Sequence, residues 1–452
     1  MCMTVFANDV GTQLLQGVFS WQFLQFVVTF VVAFGFVLTS ATFLSYVDRK
    51  VLALVQDRLG PYHTGPQGLL QPVADVVKLL LKEDIHSSSG DKWVFLLAPA
   101  VFLAPIIGAF AVLPFSPYIE LPGIALATGI VYYVAMSSID VIGVIMAGWG
   151  SNNKYSLIGG LRSAAQMISY ELPLVLALVS IVMLTSVLAG GNSGIGTVSI
   201  KEIMQFQDVW HNTNNPILDF LFGGFTPWAW FLLVQPLMLL VYFICGVAET
   251  NRPPFDLPEA ESELVAGYLT EYSGARWAMF FLGEYGNMTI VSAIATYLFL
   301  GGWSGPGVSY LTGLGTPVWG LIGNVLALIY FVTKVYFVCF IFVWVRATLP
   351  RLRADQLMQF AWLILIPLTL GNILLTGLIY LLANSLGLPN WVFLIVLALV
   401  NWAGVAGFIW WVRRATTSAT LRAQAPAIHA QRRESAVPAL QLSRSIEGDG
   451  SK

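Results

Sequence analysis

Residues 20–47 read SWQFLQFVVTFVVAFGFVLTSATFLSYV, a run of 28 positions without an Asp, Glu, Lys or Arg. A helix needs about 20 mostly apolar residues to cross the hydrocarbon of a bilayer, so this run predicts a spanning helix. It is too long for the core of a cleavable leader. The residues before it hold Asp9 and no Lys or Arg, so the basic region of a leader is missing too. Working outward, eight further stretches have the same character: 93–115, 122–150, 167–189, 228–248, 277–302, 319–345, 360–382 and 390–412. The expected fold is an all-α polytopic membrane protein of about nine spans plus amphipathic surface helices. It divides into an N-terminal segment 1–19, a single membrane domain 20–412 and a tail 413–452. No internal repeat is evident.

Composition agrees. Of 452 residues, 57% are hydrophobic and 10% are charged. Soluble domains carry about 25% charged residues, so lipid must cover much of this surface. The formal net charge of −2 gives no broad pull on nucleic acid. Cys2, Cys245 and Cys339 form no CxxC pair, and His63, His86, His211 and His429 form no HxxxH pair. No disulfide framework, metal site, haem or iron–sulfur cluster is expected in this chain.

The charges are distributed unevenly. With nine spans, the segments 48–92, 151–166, 249–276, 346–359 and 413–452 share one side of the membrane. They hold 20 of the 22 Lys and Arg. The positive-inside rule places them in the cytoplasm, with the N-terminus outside and the C-terminus inside. The tail, rich in Ala, Ser, Arg and Gln without an apolar period, is expected to be disordered.

Polar chemistry gathers on that same side. Segment 48–92 opens with Asp48, Arg49 and Lys50, passes Arg58, and continues into a helical repeat of Leu69, Leu70, Val73, Val76, Val77, Leu80 and Leu81. Such a helix lies flat at the interface or roofs a cavity with Asp75 turned inward. Segment 151–166 reads as a loop with Arg162. Glu171 follows, about one turn into the fourth span, either as an interfacial carboxylate or as a buried one partnered by Arg162. Within segment 249–276, the run from 249 to 271 places Glu249, Asp256, Glu259, Glu261, Glu263 and Glu271 around one base, Arg252. Three prolines, Phe255 and Leu257 favour a structured acidic cluster over a solvated linker, and crowded carboxylates titrate as a group. Asp140, Glu284 and Lys334 lie within spans, where ionisable groups either line proton routes or pair for packing. Arg346 and Arg351 sit in a basic stop that could be no more than an anchor.

Four stretches are distinctive: DRKVLALVQDRLGPYHTGPQGLLQPVADVVKLLLKED (48–84), AGWGSNNKYSLIGGLRSAAQMISYE (147–171), AETNRPPFDLPEAESELVAGYLTEYSG (248–274) and VWVRATLPRLRADQLM (343–358). In this order they closely resemble the H-subunit family of NADH–quinone oxidoreductase, the NADH dehydrogenase subunit 1 of respiratory complex I. The resemblance covers about residues 20–382 and implies a subunit that carries no redox centre. FMN and the iron–sulfur clusters would lie on partner subunits. Quinone would be the substrate, ubiquinone or menaquinone. The implied partners are the peripheral quinone-module subunits with the terminal cluster, small membrane subunits and antiporter-like subunits, in a bacterial cell membrane.

By the same carry-over, Asp48, Arg49, Arg58, Asp75, Arg252, Asp256, Glu259, Glu261, Glu263, Arg346 and Arg351 would line the quinone path. Glu171, Arg162, Glu249, Glu271, Glu284 and Lys334 would serve the proton pathway. Asp48 stands where the family usually has Glu. Asp140, the ninth span and the tail match no family motif.

Three alternatives stand beside this reading. A membrane component of a hydrogenase or formate hydrogenlyase would share the fold without a quinone site. A prenyltransferase-like enzyme would hold magnesium diphosphate with Asn251 and Asp256, but needs a second acid-rich loop. A secondary antiporter should show inverted repeats.

Overall fold

The computed structural model describes residues 21–85, 90–116, 128–188, 197–207, 230–256, 265–313, 317–389 and 391–414. Glu259, Glu261, Glu263 and the tail beyond residue 414 lie outside the described residues. Among the described residues the regular structure is helical, with no strand. Seven of the helices are long and apolar enough to cross a membrane.

The helices are α1 (Trp21–Val55), α2 (Gln71–Leu81), α3 (Lys92–Phe110), α4 (Gly129–Gly150), α5 (Lys154–Leu188) and α6 (Ile200–Gln205). Then come α7 (Phe231–Val234), α8 (Pro236–Glu249), α9 (Gly274–Phe299), α10 (Val308–Gly313) and α11 (Pro317–Thr348). The last two are α12 (Ala354–Ser385) and α13 (Trp391–Arg414).

Helix α9 is the centre of the bundle and packs on α1, α3, α8 and α11. Every residue from Tyr285 to Phe299 is buried. Protein rather than lipid surrounds it, so it tolerates Glu284, Asn287, Thr289, Ser292 and Thr296. Small residues set the close crossings. A Cβ on Gly143 of α4 would stand 2.7 Å from the backbone of Phe102 in α3. Gly148 of α4 faces Gly160 of α5 in the same way. Without a hydrophobic force between helices in lipid, such close approach supplies the packing energy.

Two departures from the sequence reading have physical causes. The expected loop 151–166 is mostly helix, because α5 starts at Lys154 and runs for 35 residues. Gly159 and Gly160 look like breakers but serve as contact points. A Cβ on Gly159 would lie 2.6 Å from Gly267. Glu171 is therefore near the middle of α5, not one turn into it. The apolar run expected as a fifth span is interrupted between α7 and α8, since Pro236 has no N–H and Gln235 takes φ −130°, ψ 58°. The indole N–H of Trp402 in α13 donates to the Leu233 carbonyl beside this break at 3.1 Å.

The predicted surface helix is present as α2, with Leu69, Leu70, Val73, Val76, Val77, Leu80 and Leu81 exposed. Asp75 is turned to α1, accepting from Arg49 and, at 3.1 Å, from Gln71.

Candidate functional site

Asp48, in the last two turns of α1, is buried and gathers three partners from distant parts of the chain. Arg252, just past α8, donates to its Oδ2 at 3.4 Å; Tyr285 of α9 donates at 3.0 Å; Arg346, near the end of α11, also donates. The Arg252 guanidinium lies 4.0 Å from the Tyr285 ring centroid. Burial alone would lower the proton affinity of Arg252. Tyr285, Asp48 and Glu284 outweigh it and hold the guanidinium above its ordinary range. Arg252 is thus a fixed charge in a buried place.

The loop that carries Arg252 is held by α5. Asn251 takes the left-handed conformation, φ 49°, which Asn tolerates better than most residues. Its side-chain oxygen accepts from Ser163 at 3.2 Å. The Gln166 amide donates to the Ala248 carbonyl at 2.7 Å and to the Phe255 carbonyl, stapling both ends of the turn. Asp256 then reaches Arg351, whose Nη2 donates at 2.6 Å. The Leu352 N–H donates to the Pro254 carbonyl at 3.0 Å, so the loops after α8 and α11 lie side by side.

Behind this hub stand further acids. Glu249, the last residue of α8, is buried, and neither of its carboxyl oxygens has a hydrogen-bond partner among the described residues. Asp140 of α4 is fully buried; Asn287 of α9 donates to its Oδ2 at 3.2 Å, and its Oδ1 is unpartnered among the described residues. Asp140 and Asn287 line a small crevice with Tyr133, Pro105 and Ile106. Glu171 accepts from Ser138 of α4. It is half-buried and Ser138 is exposed, so this pair faces the outside of the chain. Glu249, Glu171 and Asp140, from three different helices, are close enough to repel one another electrostatically. Glu284 accepts from the Tyr268 hydroxyl at 3.3 Å, and Glu271 from the Asn153 amide at 2.9 Å.

The structure thus joins Asp48, Arg252 and Arg346 in one cluster, Asp256 with Arg351 in a second, and Arg49 with Asp75 in a third. Arg58 stays outside them; it is exposed and donates to Gln56 at 2.7 Å. Arg162 does not face Glu171, because nine residues at about 100° each put the two on opposite sides of α5. Lys334 is turned to backbone carbonyls beyond the end of α9. Tyr285, Asn287, Gln166 and Asn251 were not singled out from the sequence as parts of this site. Their signal is polarity at helix positions the bundle encloses, which a linear reading cannot separate from interfacial polarity. Among the described residues no group of three or more His, Cys, Asp or Glu is arranged to hold a metal ion.

A family model described as NADH dehydrogenase matches residues 27–377. The chain belongs to this family. Curated members include the second H subunit of the NADH-quinone oxidoreductase of Geobacter metallireducens, 44% identical over 375 residues, covering 79% of this chain and 96% of the relative. The H subunit of the Brevibacillus brevis enzyme is 46% identical over 368 residues, covering 81% and 96%. That of Dehalococcoides mccartyi is 44% identical over 363 residues, covering 80% and 89%. The polar clusters all fall within the family match, whereas α13 lies beyond its end.

Proposed function

We propose that the chain is the membrane subunit of a proton-pumping NADH–quinone oxidoreductase that forms the quinone chamber and the first part of the proton-coupling pathway. Its near-full-length similarity to proteins of that name supports the role, and nothing in the comparisons favours the hydrogenase-type alternative. The observation that carries the mechanism is the placement of Glu249: a buried carboxyl without a hydrogen-bond partner among the described residues, three positions before Arg252 in the chain and within electrostatic reach of Glu171 and Asp140.

The quinone tail is apolar, so it enters from the bilayer between helices. Its path passes the end of the bundle formed by α1, α2 and the loops after α8 and α11. Asp48, Arg49, Arg58, Asp75, Arg252, Asp256, Arg346 and Arg351 line that end. The terminal iron–sulfur cluster and FMN belong to partner subunits and supply the electrons. Reduction of the headgroup takes two electrons and two protons. A negative charge about 8 Å from a carboxyl changes its energy by roughly 2 kcal/mol at an effective dielectric near 20, about a thirtyfold change in proton affinity. A row of mutually repelling acids transmits such a change.

Glu249, Asp140, Glu284 and Glu171 form the row, with Glu271 at its edge. Glu171 and Ser138 face outward, and a carboxylate turned out of the bundle within an apolar span needs a protein neighbour. This pair is where the row passes to small membrane subunits and on to antiporter-like ones. The nine-span topology, with basic loops in the bacterial cytoplasm, sets the direction of transfer.

The test is Glu171→Gln in the native complex. Quinone reduction and pumping should fall together while iron–sulfur and flavin subunits still co-purify. Normal pumping by an assembled Gln variant refutes the row, and a wild-type chain that purifies without those subunits refutes the identity.

A further inference from the structure

Helix α13 lies beyond the end of the family match, and the functional reading gives it no role. Much of its surface suits lipid: Ile395, Leu399 and Trp410 are more than half exposed. One stripe is different. Phe393, Leu397 and Asn401, spaced four residues apart, are buried against the bundle. Phe393 meets the Tyr380 ring of α12 edge-on, with centroids 5.9 Å apart. Asn401 accepts from the Asn372 amide of α12 at 2.7 Å and donates to the Leu397 carbonyl at 3.0 Å. Both asparagines are buried.

A helix that only anchors the chain has no need of this pair. Leucine at both positions would pack as well, because the cost of burying two amides offsets much of the bond they form. What an isolated polar pair in an apolar seam does specify is register. Sliding α13 by one turn, about 5.4 Å, parts Asn401 from Asn372. The register matters because of the residues that follow. The Trp402 indole N–H reaches the Leu233 carbonyl at 3.1 Å. Gly404 lies against Leu237, where a Cβ would stand 2.9 Å from Leu237 Cδ2. Leu233 and Leu237 flank the break between α7 and α8. At such a break a carbonyl loses the N–H of the next turn, and lipid offers none in its place. Helix α8 starts at the break and ends at Glu249, 14 residues and about 21 Å on. A stiff helix carries a displacement of its start to its end, and Arg252 follows three positions later.

We infer that α13 is a positioning helix: the Asn372–Asn401 pair sets its register on α12, Trp402 and Gly404 then hold the broken α7–α8 element, and this fixes where Glu249 and Arg252 stand. Trp402 and Asn401 act through α8 and touch no substrate. The inference rests on reading the chain as the coupling subunit only where turnover is measured.

The experiment compares Trp402→Phe and the double variant Asn372→Leu/Asn401→Leu with wild type in the native complex. Phenylalanine keeps the ring and loses the N–H. The leucine pair keeps the seam apolar and loses what sets the register. In both variants quinone reduction per bound flavin should fall about threefold, and limited proteolysis at residues 250–256 should speed up by a similar factor. A helix that only anchors the chain, or only adds stability, lowers the amount of complex or its melting temperature and leaves turnover per flavin and loop cleavage at wild-type values; that result in either variant overturns the inference. Where a variant does not assemble, cleavage of the loop in the purified full-length chain gives the reading: faster cleavage supports the inference and wild-type cleavage overturns it. If the wild-type chain purifies without flavin and iron–sulfur partners, the functional reading fails, while the cleavage comparison still decides the role of α13.

Discussion

Replacing Asp48 with Asn removes one negative charge and almost no volume, at a point where two guanidinium groups and a phenol converge. Arg252 is the group that suffers. At 3.4 Å and an effective dielectric near 20, its attraction to Asp48 is about 5 kcal/mol. Part of that is offset in the native state by the cost of burying both charges. The Tyr285 ring, 4.0 Å from the guanidinium, keeps roughly 1–2 kcal/mol of stabilisation in the variant. Arg346 is about one-third exposed and turns to solvent, so its loss is small. The net cost is about 3 kcal/mol, the low end of what stripping a partner from a buried charge produces. That is roughly a hundredfold in the equilibrium holding the loop after α8 in place. The assay is quinone reductase activity per assembled complex, with limited proteolysis at residues 250–256. Asp48→Asn should lower activity strongly and expose the loop to cleavage, whereas Asp48→Glu, which keeps the charge, should retain most of the activity. An Asn variant with wild-type turnover and a protected loop refutes the claim that this carboxylate holds the hub together.

Three further outcomes follow from the packing. Gly159→Ala drives a methyl group into Gly267 and should destabilise the chain by about 1–3 kcal/mol, seen as a lower melting temperature; unchanged melting would mean the helix and the loop separate freely. Arg351→Met leaves buried Asp256 without its 2.6 Å donor and should raise the KM for quinone more than it lowers kcat, checked by steady-state kinetics with a short-chain quinone. Trp402→Phe keeps the ring and removes the N–H that serves the Leu233 carbonyl, so thermal inactivation of the purified complex should come a few degrees earlier, for a loss of about 1 kcal/mol.

The helical fold was legible because long apolar runs have few other solutions. The runs at 93–115, 319–345 and 390–412 became α3, α11 and α13 within a few residues. What stayed hidden depends on enclosure. Gly159 and Gly160 read as a loop because a glycine pair weakens a helix in isolation, and the backbones of Gly267 and Gly148 lying against the pair explain the choice. In the site, the bases and acids were visible one by one, and Asp48, Arg252, Arg346, Asp256 and Arg351 did come together. Their pairing was not visible, since Asp48 and Arg346 are 298 positions apart. Lys334 shows the opposite limit: the carbonyls of Leu300, Gly302 and Ser304 that it reaches have no letter in the sequence.

The enclosure of α9 also bears on how the chain enters the membrane. A segment with Glu284, Asn287, Thr289, Ser292 and Thr296 along its length partitions poorly into bare lipid on its own, since each polar side chain subtracts from the transfer energy. It becomes comfortable only when α3 and α11 stand on either side of it. Because α11 is synthesised after α9, this enclosure predicts that α9 is retained at the insertion machinery until α11 emerges.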